Sequence, residues 1–407
     1  MKHKILLFAS GYKTSASANG ICARNLVREF VKQGHEVYVI AVPHDGEKEM
    51  EEIDGAKVWF VEHDKITQLL KALQKRNKSF VGKVTLSLYS SFRALLLAPF
   101  YPNTSLGRVN KLVALSCELI EKYGIDTVIG TCLPYSGITA AIRLKRMYKD
   151  KLRVVTYHFD ILSTPNNKRG IVYSYKQNQF AKAFNNELII VDRVFLPETA
   201  IGLHDNDKIS YIGLPVYISD DVCKESSFEY PKGTQNITYI GSIGGNNRPI
   251  FSAIELVRKF NNNNQERFMI HVWGNVTDGI TKDVIRKNPD IVAYHGLLDN
   301  SEARSVSMRA DFLLNISNTI LYRLLPSKMF SMFATGKPII NIVFNPDDCS
   351  LPFFEKYGNS KQIRMWESEP TISLEGLKPH IPLSNAFDNY KPSIVADRLL
   401  SYDKKNN

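Results

Sequence analysis

The feature of this sequence that most restricts its fold is a repeated alternation of short, β-rich apolar runs with longer segments of helical spacing. This alternation is typical of parallel sheets covered by helices, because parallel neighbours need a long crossover connection. The runs of the first half are 4–9, 36–42, 58–61, 127–130, 154–158, 193–196 and 209–212; those of the second half are 237–240, 268–273, 291–294, 312–316 and 338–343. We therefore predict an α/β protein with two doubly wound, Rossmann-like domains.

The length of 407 residues is enough for two hydrophobic cores. The segment 215–234 has the composition of a linker, with two prolines, paired aspartates and serines, and a glycine. We place the N-terminal domain at 1–215 and the C-terminal domain at 235–390. The remaining segment, 391–407, is predicted to form a helix and tail that pack back on the first domain.

Several classes of protein are excluded by what the sequence lacks. The five cysteines are scattered without C-x-x-C spacing, which argues against a disulfide framework or a structural zinc site and favours a reducing, cytoplasmic location. No P-loop, H-E-x-x-H or G-x-S-x-G motif occurs, which argues against the common kinases, zinc proteases and serine hydrolases. Asp205-Asn-Asp207 matches the D-x-D pattern that can hold a manganese ion, but it precedes the run 209–212 and is interpreted as a loop. We therefore predict no metal site, and we expect no resident cofactor. No apolar run approaches the roughly 20 residues that cross a bilayer.

Positive charge is concentrated in one segment. The net charge is +11, and no acidic residue occurs between Lys65 and Ser116, where lysines and arginines alternate with leucines and aromatic residues. This mixture suits the surface of an anionic membrane, so we predict a peripheral contact there, at the inner face of the cell membrane. The alternative is a solvated basic face around a core helix. No nucleic-acid-binding module is recognisable, and no nucleic-acid partner is expected.

Each half opens with a strand followed by a loop rich in small residues, 11–20 in the first half and 241–248 in the second. A helix N-terminus after such a loop presents backbone amides to an anion at the carboxyl edge of the sheet. Neither loop has the G-x-G-x-x-G pattern of nicotinamide enzymes. We therefore predict binding residues in both loops: Ser17, Asn19 and Gly20 in the first, and Gly244, Gly245 and Arg248, which suit a diphosphate, in the second.

The segment Leu325-Pro-Ser-Lys-Met-Phe-Ser-Met-Phe-Ala-Thr-Gly-Lys-Pro-Ile-Ile-Asn341 resembles the P-S-K-x-F-E-Y-x-A-x-G-K-P signature of glycosyltransferase family four. His295-Gly-Leu-Leu298 and Ala310-Asp-Phe-Leu-Leu-Asn-Ile-Ser317 resemble earlier steps of the same family, in the same order. The resemblance implies the GT-B fold, with a cleft between the domains. It implies that the first loop lies on the acceptor side and that the second loop binds the diphosphate of the donor. It also implies metal-independent transfer of a hexosyl group from a nucleotide diphosphate sugar to an acceptor hydroxyl, with retention, in capsule, exopolysaccharide or glycolipid synthesis.

The same segment has a physical interpretation. Pro326 and Ser327 are expected in the first turn of a helix, with Ser327 as a cap, so that the positive helix end faces the nucleotide diphosphate. Lys328 adds a positive charge and Arg248 approaches from the other side, which balances the charge of the leaving group. The alternative is a solvated Lys328 on a surface turn.

Two positions depart from the family pattern. Ser331 stands where a glutamate normally binds the ribose, and Arg323 stands where many members have a second glutamate near the sugar. Arg323 is instead expected to meet phosphate or an acidic sugar, and Gly296 and Leu297 to lie near the nucleotide. These departures leave open a non-catalytic nucleotide-sugar-binding relative. A nucleotide-sugar epimerase of the same fold is a further alternative.

In the first half, the strand that ends in Tyr157-His-Phe-Asp160 resembles the family's sugar-contacting segment. A histidine at a strand end can bind a hydroxyl or move a proton, so we predict a catalytic role for His158, with Asp160 orienting it or starting the next turn. A buried, hydrogen-bonded histidine is the alternative.

Overall fold

A computed structural model describes residues 2–12, 18–43, 49–75, 79–132, 134–160, 171–218, 225–245, 247–298, 300–320, 325–383 and 385–401. The chain divides into two compact units. The first unit runs to Pro215 and also includes the C-terminal helix α12, Pro392–Leu400. The second unit is Val216–Lys391.

The first unit is built on an eight-stranded sheet of order β3-β4-β2-β1-β5-β6-β7-β8. All neighbours are parallel except β3 and β4. The strands are β1 Lys4–Phe8, β2 Glu36–Ala41, β3 Met50–Ile53, β4 Ala56–Phe60, β5 Thr127–Cys132, β6 Arg153–His158, β7 Arg193–Pro197 and β8 Ile209–Ile212. The helices are α1 Ala18–Lys32, α2 Lys65–Lys75, α3 Phe80–Leu97, α4 Leu106–Tyr123, α5 Ser136–Tyr148 and α6 Ile171–Ile190. The strand order reverses between β1 and β5.

The second unit has a six-stranded, fully parallel sheet of order β11-β10-β9-β12-β13-β14. Its strands are β9 Gln235–Ile240, β10 Phe268–Trp273, β11 Val292–Gly296, β12 Phe312–Ile316, β13 Ile339–Val343 and β14 Ser360–Arg364. Its helices are α7 Ile250–Asn263, α8 Gly279–Arg286, α9 Asn300–Arg309, α10 Ser327–Phe333 and α11 Leu351–Tyr357. The prediction of two doubly wound, Rossmann-like α/β domains is confirmed.

The central strands form because their side chains are apolar on both faces. Residues 5–8 of β1 and 339–343 of β13 are buried throughout, as expected for parallel strands covered by helices on both sides. The apolar side chains of these strands and of the covering helices form one core in each unit. Both sheets therefore hold their loops at the carboxyl ends of rigid, buried strands.

The second unit begins at Val216, earlier than the predicted start at 235. The amides of Val216 and Tyr217 both donate to the carbonyl of Tyr390, and Tyr217 is buried. Further along the segment, the ring of Phe228 packs edge-on against Trp273. The segment 215–234 was interpreted as a linker from its prolines and polar residues, but its aromatic side chains attach its described part to this unit.

The C-terminal helix α12 packs against the first unit. Gln33 donates to the Asp397 carboxylate at 2.8 Å, and the guanidinium of Arg153 donates to the carbonyls of Leu399 and Leu400. Val395 and Leu399 are fully buried. In the parts of the chain that the structure describes, no helix is both long enough and apolar enough to cross a membrane.

Candidate functional site

The two predicted cations of the second unit are held by nearby polar side chains. Lys328 lies in the first turn of α10, and its Nζ donates to the Tyr239 hydroxyl at 3.0 Å and lies 4.4 Å from the centre of that ring. The hydroxyl of Tyr239, near the end of β9, donates in turn to the Ser242 carbonyl at 2.8 Å. Arg248, in the loop between β9 and α7, donates through Nε to Oδ1 of Asn318 at 2.9 Å.

No described carboxylate balances the positive charge that these two basic groups can carry. Burial lowers the pKa of Lys328 well below its ordinary value, and the positive charge of Arg248 lowers it further. Neither side chain is in an ion pair with any of the described carboxylates. Placing like charges together in a partly buried site is unfavourable. A bound anion would remove that penalty.

Glycines allow Lys328 to reach this position. A Cβ on Gly241, directly after β9, would lie 3.4 Å from Nζ of Lys328. A Cβ on Gly274, directly after β10, would lie 2.0 Å from the Gly241 carbonyl oxygen, and Gly274 has a φ of +134°. The close approach of the two loops therefore requires glycine at 274, and it keeps the space around the ammonium group free.

A small pocket adjoins Arg248 at the carboxyl end of β12. Its lining includes Asn315, Ser317, Asn318, Pro326 and Asp348. The Asp348 carboxylate accepts from the amide and hydroxyl of Ser350, at 2.8 and 2.7 Å, and leaves the pocket with a hydrogen-bond acceptor as well as a cation. Such a mixed lining suits a ligand that carries both an anionic group and hydroxyl groups.

An amide ladder runs from this pocket across three strands. Asn315 on β12, Asn341 on β13 and Gln362 on β14 occupy neighbouring register positions. Asn315 Nδ2 donates to Asn341 Oδ1 at 2.7 Å, and Asn341 Nδ2 donates to Gln362 Oε1. Asn315 is 2% exposed, and its Oδ1 is buried without a partner. The pocket therefore has an unsatisfied acceptor on its wall.

The loop amides have hydrogen-bond partners within the chain. The amide of Gly245 donates to the Asp278 carboxylate, and the amide of Gly244 donates weakly to the Arg248 carbonyl at 3.4 Å. Their contact with a diphosphate stays a prediction, and it would require these amides to exchange partners. Ser327 was expected to cap its helix, but Pro326 occupies the cap position and no side chain caps α10, which has only seven residues.

The other predicted residues of this unit have different surroundings. Gly296 ends β11, and its carbonyl accepts from the Gly274 amide at 2.7 Å. Leu297 is 81% exposed. Ser331 is exposed on α10, one helical turn after Lys328. Arg323 lies outside the described residues.

In the first unit, His158 is buried instead of facing a ligand. It is 1% exposed, and its Nε2 lies 2.8 Å from Oε1 of Glu187, a carboxylate that is itself fully buried. The same carboxylate accepts from the hydroxyls of Tyr135, at 2.7 Å, and Thr156, at 2.5 Å. This arrangement does not fit direct contact with a substrate. It fits the alternative of a buried, hydrogen-bonded histidine, oriented by Glu187 and not by Asp160.

Asp160 is paired with the loop that the sequence assigned to the acceptor. Asn19, in the first turn of α1, donates through Nδ2 to its carboxylate at 3.0 Å. Burial raises the pKa of Asp160, against the lowering effects of the Asn19 hydrogen bond and the His158 charge. Gly20 is buried next to this pair, and Ser17 lies outside the described residues. Asp160 and Asn19 are thus brought together, whereas His158 lies behind them.

Sequence reasoning missed the partners that are distant in the chain. Tyr239 meets Lys328 across 89 residues, Asn318 meets Arg248 across 70, and Glu187 meets His158 across 29. None of them belongs to a recognisable motif. Glu187 lies on a helix, where a single carboxylate normally indicates a solvent-facing position. Among the described residues, no group of three or more His, Cys, Asp or Glu side chains is placed to hold a metal ion.

No protein-family model and no curated protein sequence matches the chain. Solved structures do match. The calicheamicin glycosyltransferase CalG4 is 14% identical, with a TM-score of 0.51, over 99% of this chain and 98% of that chain. The catalytic domain of starch synthase IV from Arabidopsis thaliana, bound to ADP and acarbose, is 12% identical, with a TM-score of 0.55, over 99% and 96%.

The fold is GT-B. A UDP-N-acetylglucosamine 2-epimerase shares it, with 11% identity and a TM-score of 0.51 over 100% of this chain and 99% of that chain. The GT-B fold thus occurs in both sugar transferases and epimerases among the similar structures. Identities this low establish the fold alone. The resemblance to family four stays a prediction, and the activity must be argued from the site.

Proposed function

We propose that this protein is a glycosyltransferase. The second unit would bind the diphosphate of a nucleotide sugar through Lys328 and Arg248, and the first unit would bind the acceptor near Asp160 and Asn19. The observation that carries the proposal is the pair of partly buried cations that no described carboxylate neutralises. The GT-B fold and the resemblance of residues 325–341 to family four support it.

The chemistry follows from the charges. When the bond between the anomeric carbon and the diphosphate oxygen breaks, the electron pair leaves with the nucleoside diphosphate. The acceptor hydroxyl forms the new bond to that carbon and releases its proton. Lys328 and Arg248 stabilise the negative charge on the leaving group, an electrostatic effect that protein side chains can provide without a metal ion. We propose retention of configuration from the family resemblance, and a hexosyl donor on the same grounds.

Donor recognition in this proposal relies on the pocket beside Arg248. The unpartnered Asn315 Oδ1 and the Asp348 carboxylate are acceptors, so they suit the hydroxyl or N–H groups of a nucleoside or sugar. Asp348 would supply the ribose contact that the glutamate at position 331 provides in similar family members. With Asp348 in the role of that glutamate, a serine at position 331 is compatible with activity.

The first experiment is calorimetric titration of the protein with a panel of nucleoside diphosphates that includes UDP and ADP. We expect one base to bind, and Lys328→Met to weaken that binding by about 10- to 150-fold, since hydrogen bonds to charged groups contribute about 1.5–3 kcal/mol. Lys328→Arg should retain most of the affinity. Lys282→Met removes an exposed lysine from the same unit and serves as the matched control.

Absence of binding to every nucleoside diphosphate by the folded protein would refute the proposal. Equal affinities of wild type and Lys328→Met would refute the diphosphate role of Lys328. An epimerase of this fold is the second candidate, favoured by the similar 2-epimerase structure. It predicts conversion of a nucleotide sugar without any acceptor, which proton NMR detects directly. A non-catalytic relative would bind the nucleotide sugar and leave it unchanged with every acceptor tested.

We further propose that the first unit binds an anionic membrane surface through α3. Four apolar side chains on one face of this helix are strongly exposed: Val81 by 71%, Leu88 by 68%, Phe92 by 62% and Leu95 by 73%. Their spacing follows the helical period. The helix belongs to the segment 65–116, which contains no acidic residue, so the other side chains of the helix are neutral or basic. This combination suits acidic lipids and supports a lipid-linked acceptor in polysaccharide or glycolipid synthesis.

Vesicle flotation tests this contact. We expect binding to vesicles that contain phosphatidylglycerol, weak binding to pure phosphatidylcholine, and a loss of about tenfold or more in partitioning for Leu88→Glu, because burial of a leucine contributes about 1.5–3 kcal/mol. Ile189→Glu, at an apolar residue of α6 that is 77% exposed, is the matched control and should bind normally. Equal binding by the Leu88→Glu protein, or indifference to acidic lipid, would exclude the contact.

A further inference from the structure

The first unit contains a second pocket, at the point where its strand order reverses. The pocket lies at the carboxyl ends of β1 and β5, and its lining includes Phe8, Ser10, Arg108, Thr131, Ser136 and Gly137. The space between these residues is small and partly open to solvent. In open α/β sheets this position is where ligands bind. None of the residues discussed so far as donor or acceptor groups belongs to it.

Arg108, on α4, is the charged residue of this pocket. It is only 3% exposed, and its Nε is buried without a hydrogen-bond partner. Burial lowers the pKa of Arg108 to about 10, opposed only by the negative charge of Asp64. The Asp64 carboxylate, however, already accepts hydrogen bonds from Ser105 and Thr67. Arg108 therefore has donor capacity that the described residues do not use.

Ser136 is the second unsatisfied group. It is the first residue of α5, it is 1% exposed, and its hydroxyl is buried without a partner. No side chain caps α5, so the positive end of a thirteen-residue helix also faces this side. Gly137 makes the arrangement sterically feasible, since a Cβ there would lie 3.0 Å from both the Phe8 Cβ and the Thr131 carbonyl oxygen.

Two unsatisfied buried polar groups in one pocket are costly. Each buried donor without a partner destabilises the fold, and a buried guanidinium more than a hydroxyl. Both groups donate hydrogen bonds, and both lie beside a helix N-terminus. An oxyanion would satisfy the guanidinium, the hydroxyl and the helix N-terminus at once. The guanidinium fork and the hydroxyl together suit the several oxygens of a phosphate group.

We infer that this pocket is a binding site for a phosphate group. This inference rests on the proposed function in one respect only: it assigns the phosphate to the acceptor substrate. An acceptor substrate with a phosphate group would then be bound to the first unit through that negatively charged group. The same chemistry is offered by a soluble sugar phosphate and by the head group of a lipid phosphate.

The test uses inorganic phosphate as the probe, in the full-length Lys328→Met protein so that the cation pair of the second unit is broken and its contribution reduced; the Arg108 and Ser136 variants distinguish any remaining contribution of Arg248. Thermal stability is measured in potassium phosphate and in potassium chloride of equal ionic strength, since a ligand of the native state raises stability by mass action. We expect phosphate to stabilise this protein, and Arg108→Met to raise the phosphate Kd at least about tenfold. Lys111→Met, at an exposed lysine of the same helix, should have no effect.

A second pair of variants separates binding from folding. Ser136→Ala removes an unsatisfied hydroxyl, so the free protein should be as stable as its parent or more stable, while phosphate binding weakens. Ser116→Ala removes a buried hydroxyl that donates to the Leu112 carbonyl at 2.6 Å, so it should lower stability and leave phosphate binding intact. If Arg108→Met fails to fold, the serine pair decides the question.

Phosphate stabilisation that is unchanged by Arg108→Met and Ser136→Ala would overturn the inference, as would no stabilisation at all. Comparison of glucose 1-phosphate with short-chain phosphatidic acid then identifies the source, since the tighter ligand of the two reports whether a sugar or a lipid carries the phosphate. Nucleotide titration of Arg108→Met keeps the two proposals distinct. If Arg108→Met binds nucleotide normally and the Lys328→Met protein shows no phosphate binding, the phosphate site is excluded and the proposed donor site stands.

Discussion

Binding of a nucleoside diphosphate to this protein should take up a proton. The lowered pKa of Lys328 means that its amine is largely neutral in the free protein at pH values between that pKa and the ordinary lysine value of 10.5. A diphosphate beside the amine favours the charged form and moves the pKa back up. Binding within this pH window therefore converts the amine to an ammonium group and draws a proton from the buffer.

The expected size follows from a single titrating group. Proton uptake should approach one per nucleotide within the window, and the Kd should rise by up to about tenfold for each pH unit above the pKa of free Lys328. The unfolded chain also binds one more proton than the folded chain there. The free energy of unfolding should therefore increase with pH across the window, and this increase should be absent in Lys328→Met.

Calorimetry in two buffers of different ionisation enthalpy measures the uptake directly. A series of titrations from about pH 7 upward stays above the second pKa of a phosphate, about 6, so that the ligand itself titrates little, and it locates the window without assuming a pKa for Lys328. Lys328→Arg is the control, because a guanidinium stays charged and should bind without proton uptake. Identical enthalpies in the two buffers, with a Kd independent of pH for wild type as for Lys328→Arg, would refute the interpretation that Lys328 is neutral before binding and charged after it.

Three further predictions concern stability, measured by urea denaturation. Glu187→Ala should lower the free energy of unfolding by at least about 3 kcal/mol, because three buried partners lose their acceptor; a loss below 1 kcal/mol, within about the value of one ordinary hydrogen bond, would contradict this. Gly274→Ala should cost more than about 2 kcal/mol, since its Cβ would overlap the Gly241 carbonyl; a neutral effect would show that the two loops can separate. Leu399→Ala, on α12, should cost about 2–5 kcal/mol as a fully buried leucine, and a surface-like value would show that α12 is not part of the first unit's core.

Much of the fold could be predicted from the sequence because its central strands are apolar on both faces. The runs at 4–9 and 338–343 became β1 and β13 almost residue for residue. Strands β3 and β14 were not predicted from the sequence. Both lie at sheet edges, where solvent accepts polar side chains, and their sequences Met-Glu-Glu-Ile and Ser-Lys-Gln-Ile-Arg carry no apolar run.

The candidate site was predictable only in part, because a sequence identifies a charged residue more readily than its surroundings. Lys328 and Arg248 were found from motif and loop composition. Their hydrogen-bond partners, and the occupation of the Gly245 amide by Asp278, depend on how strands far apart in sequence align. For His158 the structure favours the alternative that the sequence left open. Its place at a strand end indicated a ligand contact, but a carboxylate from α6 encloses it.

The amide ladder behind the donor pocket has a direction. It ends at Ser360, whose hydroxyl accepts from Gln362 Nε2 at 2.9 Å and donates to the Phe354 carbonyl at 2.8 Å. That carbonyl can only accept, so every amide in the row must point its NH₂ group the same way, and the Asn315 oxygen is left as the unpaired end of the row. Because Asn315 lines the pocket, the edge of the sheet thus fixes which of its groups is unpaired: an acceptor, which suits a hydroxyl or an N–H and disfavours a carbonyl. A single backbone oxygen of α11, beyond the edge strand, would then help decide which face of a nucleoside the protein accepts.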